Sequence, residues 1–509
     1  MDNNSDFLKK KYQKKSDKQH VLDNPDTYIG SIENIANASY IYENNKIIQK
    51  NIEYIPGLYK LFDEAIVNAR DHVVRMNNSD QLNDNGIKNH NVTNINISID
   101  DDIISVYNDG NGIDICIHPE YKIYIPELIF ANLRTSTNYD KDEKKIVGGK
   151  NGFGIKLVFI WSTWAKIETV DHTRNLKYVQ EFENNLDIIH KPTITKCRNK
   201  PYTKISFKPD YKRLKIDKLS DDFKNLLLRR INDIAGITDS TIKVKYNNEV
   251  INIKNFNNYI DLYIGNKEEL SRIYESPNQR WEYAICLAPN HEFTQISFVN
   301  GINTNKGGKH VEYIINQVIK KITTFIKTKK HIDVKPSSIK EQLMIFVNCI
   351  IENPAFDSQT KDYLNSNVSN FGSSCEVSDK FIDKLIKLGV VTTACNLNDI
   401  KDNKAAKKTD GTKCKTIRNI PKLIDANFAG GAKGNQCSLI LCEGDSAKSG
   451  IISGLSRDDR NYVGVYPMKG KMLNTRGESI TKINDNREIT EIKQILGLEH
   501  GKIYDKELI

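Results

Sequence analysis

Several features are scarce in this sequence, and each absence excludes a class of protein. No apolar run approaches the ~18 residues that a membrane-spanning helix needs, and residues 1–15 lack the apolar stretch of a secretory signal. The nine cysteines are scattered without a Cys-x-x-Cys pair, which argues against a structural zinc site and is typical of a reducing compartment. We therefore expect an intracellular protein without a membrane partner.

A strong charge imbalance is also lacking, since the net charge is only +9 over 509 residues. This value permits binding to a polyanion without demanding it. Basic residues do cluster, as at Lys327, Lys329 and Lys330, although such a run is equally typical of a solvated helix face. At ~150 residues per domain, the length predicts about three domains.

Residues Gly57–Met76 carry apolar side chains at three- and four-residue steps, which predicts an amphipathic helix. The stripe consists of Leu58, Leu61, Phe62, Ala65, Ala69 and Val73. Glu64 and Asn68 border it on one side, one helical turn apart. A carboxylate held against a pocket can polarise a water for attack on a phosphate, and an amide oxygen can complete the ligands of Mg²⁺. An exposed polar pair is the alternative interpretation.

Two glycine-rich loops follow this helix. The two glycines of Asn108–Gly112 (Asn-Asp-Gly-Asn-Gly) would let a flat base approach the backbone. Gly148–Gly154 supplies backbone N–H groups for phosphates if a helix begins just after it, as Ile155–Ile160 predicts. This loop is not a P-loop, because no Ser or Thr follows Lys156. Its alternative interpretation is a flexible surface turn.

Apolar runs predict further elements along the chain. A long amphipathic helix is predicted over His310–Lys327. Residues 1–55 are polar and basic with a turn at Asn24–Asp26, and residues 397–436 are rich in Lys, Asn and Gly, as linkers are. Strands are predicted at Ile95–Ile99, Ile103–Tyr107, Lys166–Val170, Thr203–Phe207, Ile285–Leu287, Gln295–Val299, Met344–Ile351 and Ser438–Leu441.

The order of the motifs is much more specific than any one of them. A Glu-x-x-x-Asn helix, an Asn-Asp-Gly-x-Gly loop and a glycine-rich loop together resemble the GHKL ATPases, and more narrowly the eukaryotic-type type II DNA topoisomerases. This resemblance is nearly continuous from about Tyr28 to the last residue. It rests on Pro25–Ser31, Pro56–Lys60, Phe62–Glu64, Thr135–Tyr139, Gly148–Gly154, Ile351–Pro354, Asp357–Lys361 and Glu443–Lys448.

The resemblance implies an α/β (α+β) fold class and an order of domains. A GHKL ATPase sandwich with an N-terminal strap would occupy residues 1–245, and a transducer domain of the ribosomal-protein S5-like fold would occupy residues 246–405. A linker over 406–436 would lead to a partial TOPRIM domain over 437–509. We take these boundaries as expectations of the family resemblance.

The resemblance also implies a site for ATP and Mg²⁺. Glu64 would be the general base, Asn68 the Mg²⁺ ligand and Asn108 the reader of adenine. Lys361 of the second domain would reach the γ-phosphate as a mobile point charge beside Gln359. The other implied nucleotide contacts are Ser136, Thr137, Asn138, Gly149, Lys150, Asn151, Gly152, Phe153, Gly154, Ile155, Lys156, Thr360 and, from the strap of the other protomer of a homodimer, Tyr28.

One residue of the helix departs from the family pattern. His72 stands where the family usually has Asn, two helical turns after Glu64. A histidine that supports the core or the neighbouring residues is our interpretation, and a shifted pH optimum is the alternative.

Double-stranded DNA is the implied partner of the later residues. Lys327, Lys329 and Lys330 match a family loop that touches DNA, and Lys469, Lys471 and Asn474 match contacts to cleaved DNA. Glu443 matches the first acidic residue of a TOPRIM Mg²⁺ site, although a glutamate after a strand is in isolation more often a surface residue. The family would continue with an Asp-x-Asp motif and a DNA-attacking tyrosine, neither of which follows Leu498.

Three functions remain open on the sequence. The first is the ATPase-bearing part of a type II topoisomerase, which acts with a downstream cleavage region or subunit and lies in the nucleus, or in the host cytoplasm if viral. The second is a nucleotide-gated DNA clamp without cleavage activity. The third, a chaperone or mismatch-repair ATPase, is disfavoured by Glu443 and Lys469–Asn474. The chain is expected to be a truncation, a gene fragment or one subunit of a split enzyme.

Overall fold

The computed structural model describes residues 11–12, 14–82, 86–100, 102–133, 135, 145–149, 152–266, 268–290, 292–395, 420–476, 478 and 480–504. The chain folds as two compact units. The first comprises Met1–Ile319 with Leu343–Leu388, and the second Lys320–Gln342 with Gly389–Ile509. Within the described ranges, no helix is both long and apolar enough to cross a bilayer.

The first part of unit 1 combines helices with a large sheet and a separate hairpin. Its helices are α1 (Asp17–Asp23), α2 (Pro25–Tyr28), α3 (Pro56–Asn77), α4 (Ile125–Ala131), α5 (Gly154–Ile160), α6 (Asp221–Gly236) and α7 (Phe256–Ile264). Its strands are β1 (Ile35–Glu43), β2 (Lys46–Tyr54), β3 (Asn94–Asp100), β4 (Ile103–Asp109), β5 (Ser162–Asp171), β6 (Leu176–Glu183), β7 (Ile188–Ile189), β8 (Thr193–Lys196), β9 (Tyr202–Pro209), β10 (Lys243–Tyr246) and β11 (Glu249–Val250).

The large sheet runs in the order β11-β10-β3-β4-β9-β5-β6-β7, with β8 also paired to β6. Its neighbours are antiparallel except for β10 and β3, which are parallel. Helix α3 buries its apolar stripe in the same core as the inward side chains of this sheet. The sheet therefore supports the helix that carries Glu64 and Asn68, and β4 ends at the Asn108–Gly112 loop.

The second part of unit 1 is built on a smaller mixed sheet. Its strands follow the order β12-β13-β17-β14-β15, and β14 is parallel to β17. The strands of this sheet are β12 (Arg272–Asn278), β13 (Trp281–Leu287), β14 (Thr294–Val299), β15 (Ile302–Asn303) and β17 (Leu343–Cys349). Two further strands, β16 (Gly307–Gly308) and β18 (Tyr363–Leu364), form a separate two-stranded sheet. The helices of this part are α8 (Lys309–Lys330) and α10 (Asp379–Lys387). The last turns of α8 belong to unit 2. Helix α9 (Pro336–Lys340), which lies between α8 and α10 in the sequence, also belongs to unit 2.

Unit 2 has a much smaller core in its described residues. Two parallel strands, β19 (Ser438–Glu443) and β20 (Val463–Met468), form its sheet. Ile420, Tyr466 and Ile492 form the buried apolar cluster beside them. The helices that follow the linker are α11 (Gly444–Gly454), α12 (Asp459–Tyr462), α13 (Ile480–Asp485) and α14 (Arg487–Ile495).

Asparagine occupies the turns of several hairpins. Asn44 and Asn45, with φ of 51° and 60°, join β1 to β2. Asn247 and Asn248, with φ of 48° and 70°, join β10 to β11. Two successive positive φ angles are what a two-residue turn between twisted antiparallel strands requires. Asparagine tolerates this region better than other side chains do, so these turns form without glycine.

The elements that were predicted from their hydrophobic period are present in the structure. The predicted helix Gly57–Met76 is α3, and its six stripe residues are all buried. The predicted helix His310–Lys327 lies inside α8, and each predicted strand has its counterpart among β3, β4, β5, β9, β13, β14, β17 and β19. The helix predicted to open at Ile155 is α5, which begins one residue earlier.

Two predictions are corrected by the fold. Residues 1–55 are more than a polar segment with one turn, because they form α1, α2 and the β1–β2 hairpin around the buried Ile41, Ile47 and Ile52. Of the segment 397–436 that resembles a linker, residues 420–436 are described, and the part from 420 to 429 is largely buried or half-buried. Ile420 and Ala426 are buried, and Ile424 forms an isolated bridge with Val465 of β20.

Candidate active site

Helix α3 is the platform of the candidate site. Pro56 begins it, a position where the missing N–H of proline costs no helical hydrogen bond, and the apolar stripe fixes its rotation on the sheet. Asn68 lies one turn after Glu64, and Asp71 and His72 lie about two turns after it. The four side chains therefore share one side of the helix. Glu64 is only 5% exposed, which rules out the exposed polar pair considered from the sequence.

The Glu64 carboxylate is held by two lysines. Lys60 Nζ, one turn earlier on α3, lies 2.9 Å from Oε1, and Lys361 Nζ lies 3.1 Å from the same oxygen. Burial raises the pKa of Glu64, but the charges of Lys361 and Lys60 outweigh it and hold this pKa below its usual range. The carboxylate is therefore ionised at neutral pH although it is buried.

Lys361 reaches Glu64 from a tight turn in the second part of unit 1. Its φ is +63°, and its N–H donates to the carbonyl oxygen of Ser358 at 3.2 Å. Gln359 and Thr360, half-buried, complete the turn, and Thr360 Oγ1 donates to Asp362 at 3.0 Å. The turn thus brings two parts of the sequence, 297 residues apart, to one carboxylate.

Asn68 lies one turn after this carboxylate on α3, and its side-chain amide is oriented by the helix. Its Nδ2 donates to the carbonyl oxygen of Glu64 at 2.8 Å. This bond uses the nitrogen and orients the amide, so the oxygen is the atom that can bind a cation. Amide oxygens are suitable ligands for Mg²⁺, which prefers oxygen donors.

The loop after β4 is held from both sides. Asn108 is buried and its Nδ2 donates to the carbonyl oxygen of Asp109 at 2.9 Å. Asp109 Oδ1 accepts the N–H groups of Thr93 and Asn94 at 2.7 and 2.8 Å. A Cβ at Gly112 would lie 1.9 Å from the carbonyl oxygen of Val170. The packing of this chain therefore requires glycine there, a reason different from the approach of a base predicted from the sequence.

His72 supports the same loop. Its Nε2 lies 2.9 Å from the carbonyl oxygen of Asn111, and a Cβ at Gly110 would approach Nε2 to 3.1 Å. Burial, with a smaller contribution from the charge of Arg75, lowers the pKa of His72 to about 4. The imidazole is neutral at pH 7, where its Nε2 donates to the Asn111 carbonyl oxygen.

The glycine-rich loop starts against α3. The N–H groups of Gly148 and Gly149 donate to Asp71 Oδ1 and Oδ2, each at 2.9 Å. Asp71 is 1% exposed. A single buried carboxylate thus fixes two successive backbone N–H groups of the loop.

The end of the loop passes Glu64 itself. A Cβ at Gly154 would lie 2.2 Å from Glu64 Oε2, so only glycine lets the backbone pass this closely. Gly152 has a φ of +66°, and the half-buried Ile155 begins α5 with Gly154. Lys156, buried, donates from Nζ to the carbonyl oxygen of Thr135 at 2.5 Å, and burial lowers its pKa to about 8.

Tyr28 lies against this loop within its own chain. Its ring meets the ring of Phe153 edge-on at 6.0 Å between centroids, and its hydroxyl lies 3.0 Å from His20 Nδ1. The contact across a dimer, which the family resemblance implies for Tyr28, stays a prediction. Five implied nucleotide contacts lie outside the described residues: Ser136, Thr137, Asn138, Lys150 and Asn151.

Several residues of this site were not found from the sequence. Lys60 also lies 3.1 Å from Asp63 Oδ2, and Arg230 Nε of α6 lies 2.7 Å from Asp63 Oδ1. Arg230 Nη2 in turn donates to the carbonyl oxygen of Gly301 at 2.8 Å. The spacing of Lys60 and Glu64 on the predicted helix was a usable signal, because residues four apart can pair. Asp71 gave no local signal, since its partners are distant in sequence. Arg230 has a local partner in Asp233, three residues on, but its contact with Asp63 joins two distant helices and gave no such signal.

The implied DNA-binding residues all lie in unit 2 and are exposed. Lys327, Lys329 and Lys330 occupy the end of α8, and the other three, Lys469, Lys471 and Asn474, follow β20. Glu443 is the exposed last residue of β19. In the described part of the chain no group of three or more His, Cys, Asp and Glu side chains could hold a metal ion. Glu443 is therefore not part of such a group among these residues.

Comparison with known proteins assigns the family. A family model described as DNA gyrase B matches residues 255–413. DNA topoisomerase 2 of Saccharomyces cerevisiae is 44% identical over 97% of this chain, and that of Acanthamoeba polyphaga mimivirus is 43% identical over 99%. The chain spans only 35% and 39% of the lengths of these two relatives.

Solved structures agree with this assignment. The ATPase region of Saccharomyces cerevisiae topoisomerase II is 43% identical with a TM-score of 0.70, and the match covers 77% of this chain and all of that one. The ATPase and transducer domains of the Balamuthia mandrillaris enzyme are 35% identical with a TM-score of 0.71, covering 77% of this chain and 98% of that one. The predicted α/β fold class, with a GHKL ATPase and a transducer domain, is confirmed, and the chain belongs to the type II DNA topoisomerases, within which it contains the ATPase region.

Proposed function

We propose that this chain binds and hydrolyses ATP as the ATPase-bearing part of a type II DNA topoisomerase. The observation that carries the proposal is the environment of Glu64. An ionised, buried carboxylate lies one turn before Asn68, next to the backbone of the glycine-rich loop at Gly154, and in contact with Lys361. These are the parts that hydrolysis of a phosphate anhydride needs: a base, a cation ligand, backbone donors and a positive charge.

The residues present fit Mg²⁺ and a nucleotide. The amide nitrogen of Asn68 is used within the helix, which leaves its oxygen for the metal. Asn68 would hold Mg²⁺ through this oxygen, and the cation would supply positive charge that offsets the negative charge of the phosphates. The buried Asn108, at the end of β4, is suited to hydrogen-bond the edge of adenine. The loop from Gly148 to Gly154 offers backbone N–H groups to phosphates.

Each charged residue then has a distinct task. Glu64 accepts a proton from the attacking water, and its ionised state at neutral pH makes this possible. The Lys361 ammonium stabilises negative charge that develops on the transferred phosphoryl group. Lys60, one turn before Glu64 on α3, places a second positive charge beside the base. Lys156 and Phe153 support the loop through Thr135 and Tyr28.

The larger activity follows from the family and is part of the proposal. A homodimer of these chains would close on ATP, and a downstream cleavage region or subunit would cut one DNA duplex so that another passes. Exposed lysines of unit 2 are the proposed DNA contacts. The eukaryotic and viral relatives favour an intracellular site of action, in the nucleus or in the cytoplasm of an infected host.

A DNA clamp without cleavage activity is the second candidate. It is favoured by one observation, that Glu443 belongs to no group of three or more metal-binding side chains in the described residues. In this case the chain would still hydrolyse ATP and dimerise on DNA.

The test is a steady-state ATPase assay with Mg²⁺ on the purified chain and its Glu64→Gln variant. Loss of a general base typically reduces the rate by ~10²–10⁴-fold, whereas ATP binding should persist. Glu282→Gln is the matched control, since that carboxylate is held by Tyr274 and Asn348 in the smaller sheet. A Glu64→Gln protein with the wild-type rate would refute the role of Glu64.

A further inference from the structure

A short backbone segment, residues 145–149, is held by side chains from both parts of unit 1. On the ATPase side, Asp71 accepts the N–H groups of Gly148 and Gly149, one on each carboxylate oxygen, at 2.9 Å. Both bonds end on one rigid, buried group, so they fix the orientation of the peptide between the two glycines.

On the other side, two asparagines of the smaller sheet and its loops hold the same segment. The N–H of Asn353 donates to the carbonyl oxygen of Lys145 at 2.8 Å, and Asn353 Oδ1 accepts the N–H of Lys145 at 3.3 Å. Asn300, fully buried, donates from Nδ2 to the carbonyl oxygens of Val147 and Ile351 at 3.4 and 2.8 Å. Both asparagines have positive φ, at 52° and 45°.

Packing leaves the segment little freedom between these two sets of bonds. A Cβ at Gly148 would lie 3.1 Å from Val67 Cγ1 of α3 and 3.1 Å from Ile302 Cγ1 of β15. Gly148 therefore lies in a narrow gap between α3, the helix that carries Glu64, and β15 of the smaller sheet. A shift of either element must move this glycine or break its bond to Asp71.

We propose that Asp71, Asn300 and Asn353 form a clamp that positions the phosphate-binding loop, with the second domain acting on the loop independently of Lys361. The clamp residues are positioning residues, since they hold the backbone and touch no reacting atom. The loop is then bonded to α3 by Asp71 at its start, and it passes beside Glu64 at Gly154. This proposal rests on the proposed ATPase function and adds a second link between the domains.

The two links make different predictions for ATP and ADP. Lys361 would act on the γ-phosphate, so its loss should weaken binding of an ATP analogue and spare ADP. The clamp acts on a loop that contacts phosphates shared by both nucleotides, so its loss should weaken both to the same extent. A merely structural lesion would instead lower the active fraction of protein without changing either affinity.

The experiment measures dissociation constants for a non-hydrolysable ATP analogue and for ADP by calorimetry on the full chain. Asp71→Asn keeps the shape of the side chain but replaces one acceptor with an NH₂ group, and both constants should rise by about tenfold. KM for ATP should rise with them while kcat at saturation stays within about twofold. Lys361→Met should raise only the constant for the ATP analogue.

A matched control and a milder variant complete the test. Asp210→Asn alters another buried aspartate of the same unit, which accepts the N–H of Arg213 at 3.0 Å, and should leave both constants unchanged. Asn353→Gly keeps the left-handed backbone and removes only the Oδ1 acceptor, so it should weaken both nucleotides by about two- to threefold.

The outcomes separate the clamp from the ATPase function. If the wild-type chain binds neither nucleotide, the proposed function fails and the clamp fails with it. If the wild-type chain binds both and Asp71→Asn binds ADP with wild-type affinity, the clamp alone is overturned. If Asp71→Asn does not fold, Asn353→Gly decides, and unchanged affinity in that variant also overturns the proposal.

Discussion

On the scale of single residues, the charges around Glu64 form an alternating series. Lys361, Glu64, Lys60, Asp63 and Arg230 follow one another at ion-pair distances, and all are buried. Removal of one member leaves its neighbours with uncompensated buried charge, which is strongly destabilising in proteins. Loss of activity after truncation of any of these residues therefore mixes chemistry with folding. Amide or methionine replacements keep the packing but remove the charge as alanine does, so the unfolding temperature of each variant must be measured beside its activity.

His72 makes stability depend on pH. Its pKa of about 4 in the folded chain lies below the ~6.5 of an unfolded one, so the unfolded chain binds more protons between these values. Stability should therefore rise with pH across this window and fall on acidification. We expect His72→Asn to reduce the loss of unfolding temperature between pH 7 and pH 5. Part of the loss of unfolding temperature should remain in this variant, because it still contains the buried His310, whose pKa is lowered to about 3.

Thermal denaturation at the two pH values measures this effect. His331→Asn is a suitable control, because His331 is exposed and its φ of 56° suits asparagine. The same loss of unfolding temperature in His72→Asn and in wild type would contradict the assignment.

The sequence predicted those site residues that can be recognised from their spacing within a single helix. Glu64 and Asn68 were found because their spacing on a periodic helix carries the information. Asp71 was not found, since its partners, Gly148 and Gly149, lie 77 and 78 residues further on. Nothing in the sequence around either glycine identifies the carboxylate to which its N–H donates. The contact of Lys361 with Glu64 depends on a left-handed turn, and the residue types alone do not predict it.

On the scale of elements, the predictions that succeeded rest on hydrophobic period, although not every periodic element was recognised. Helix α3 and strand β3 have regular apolar positions and were predicted. The β1–β2 hairpin was missed because few of its residues are both apolar and buried. Helix α6 was missed although it had usable signals. Ser220 caps it, two aspartates follow in its first turn, and its apolar residues recur at helical steps.

The short helix α2 at the start of unit 1 carries a prediction about dimerisation. Tyr28 ends this helix and lies against Phe153 of the glycine-rich loop, so a ligand in that loop can act on the strap. We expect a non-hydrolysable ATP analogue to shift the chain from monomer to dimer, because a ligand that binds the dimer better favours it. Tyr28→Ala should weaken this shift.

Light scattering with and without the analogue measures the mass. Tyr121→Ala changes an exposed tyrosine of the same unit and should dimerise as wild type does. A mass that stays monomeric at protein concentrations far above the nucleotide affinity would argue against a nucleotide-operated gate.

On the scale of the whole molecule, we expect the chain to bind duplex DNA in a salt-dependent manner. Neutralised phosphates release counterions, so affinity falls steeply with salt concentration. Replacement of one of the exposed lysines Lys327, Lys329, Lys330, Lys469 and Lys471 by alanine should flatten the log–log salt slope by about one unit. Lys218→Ala, at an exposed lysine outside this set, should leave the slope unchanged.

The same chain should leave supercoiled plasmid intact in the presence of Mg²⁺ and ATP. No Asp-x-Asp follows Glu443 in the sequence, and the described residues offer no acidic cluster for a metal ion. Supply of the downstream cleavage region in trans should restore ATP-dependent relaxation. Relaxation by this chain alone, abolished by Glu443→Ala, would overturn the expectation.

The asparagine hairpin turns have a consequence at the level of the gene. Every glycine codon begins with two guanines, whereas both asparagine codons begin with two adenines. A coding sequence under pressure towards adenine and thymine would therefore tend to lose glycine codons, on which many tight turns depend. Because asparagine enters the left-handed region, as at Asn44, Asn45, Asn247 and Asn248, these hairpins would be compatible with such a change in base composition.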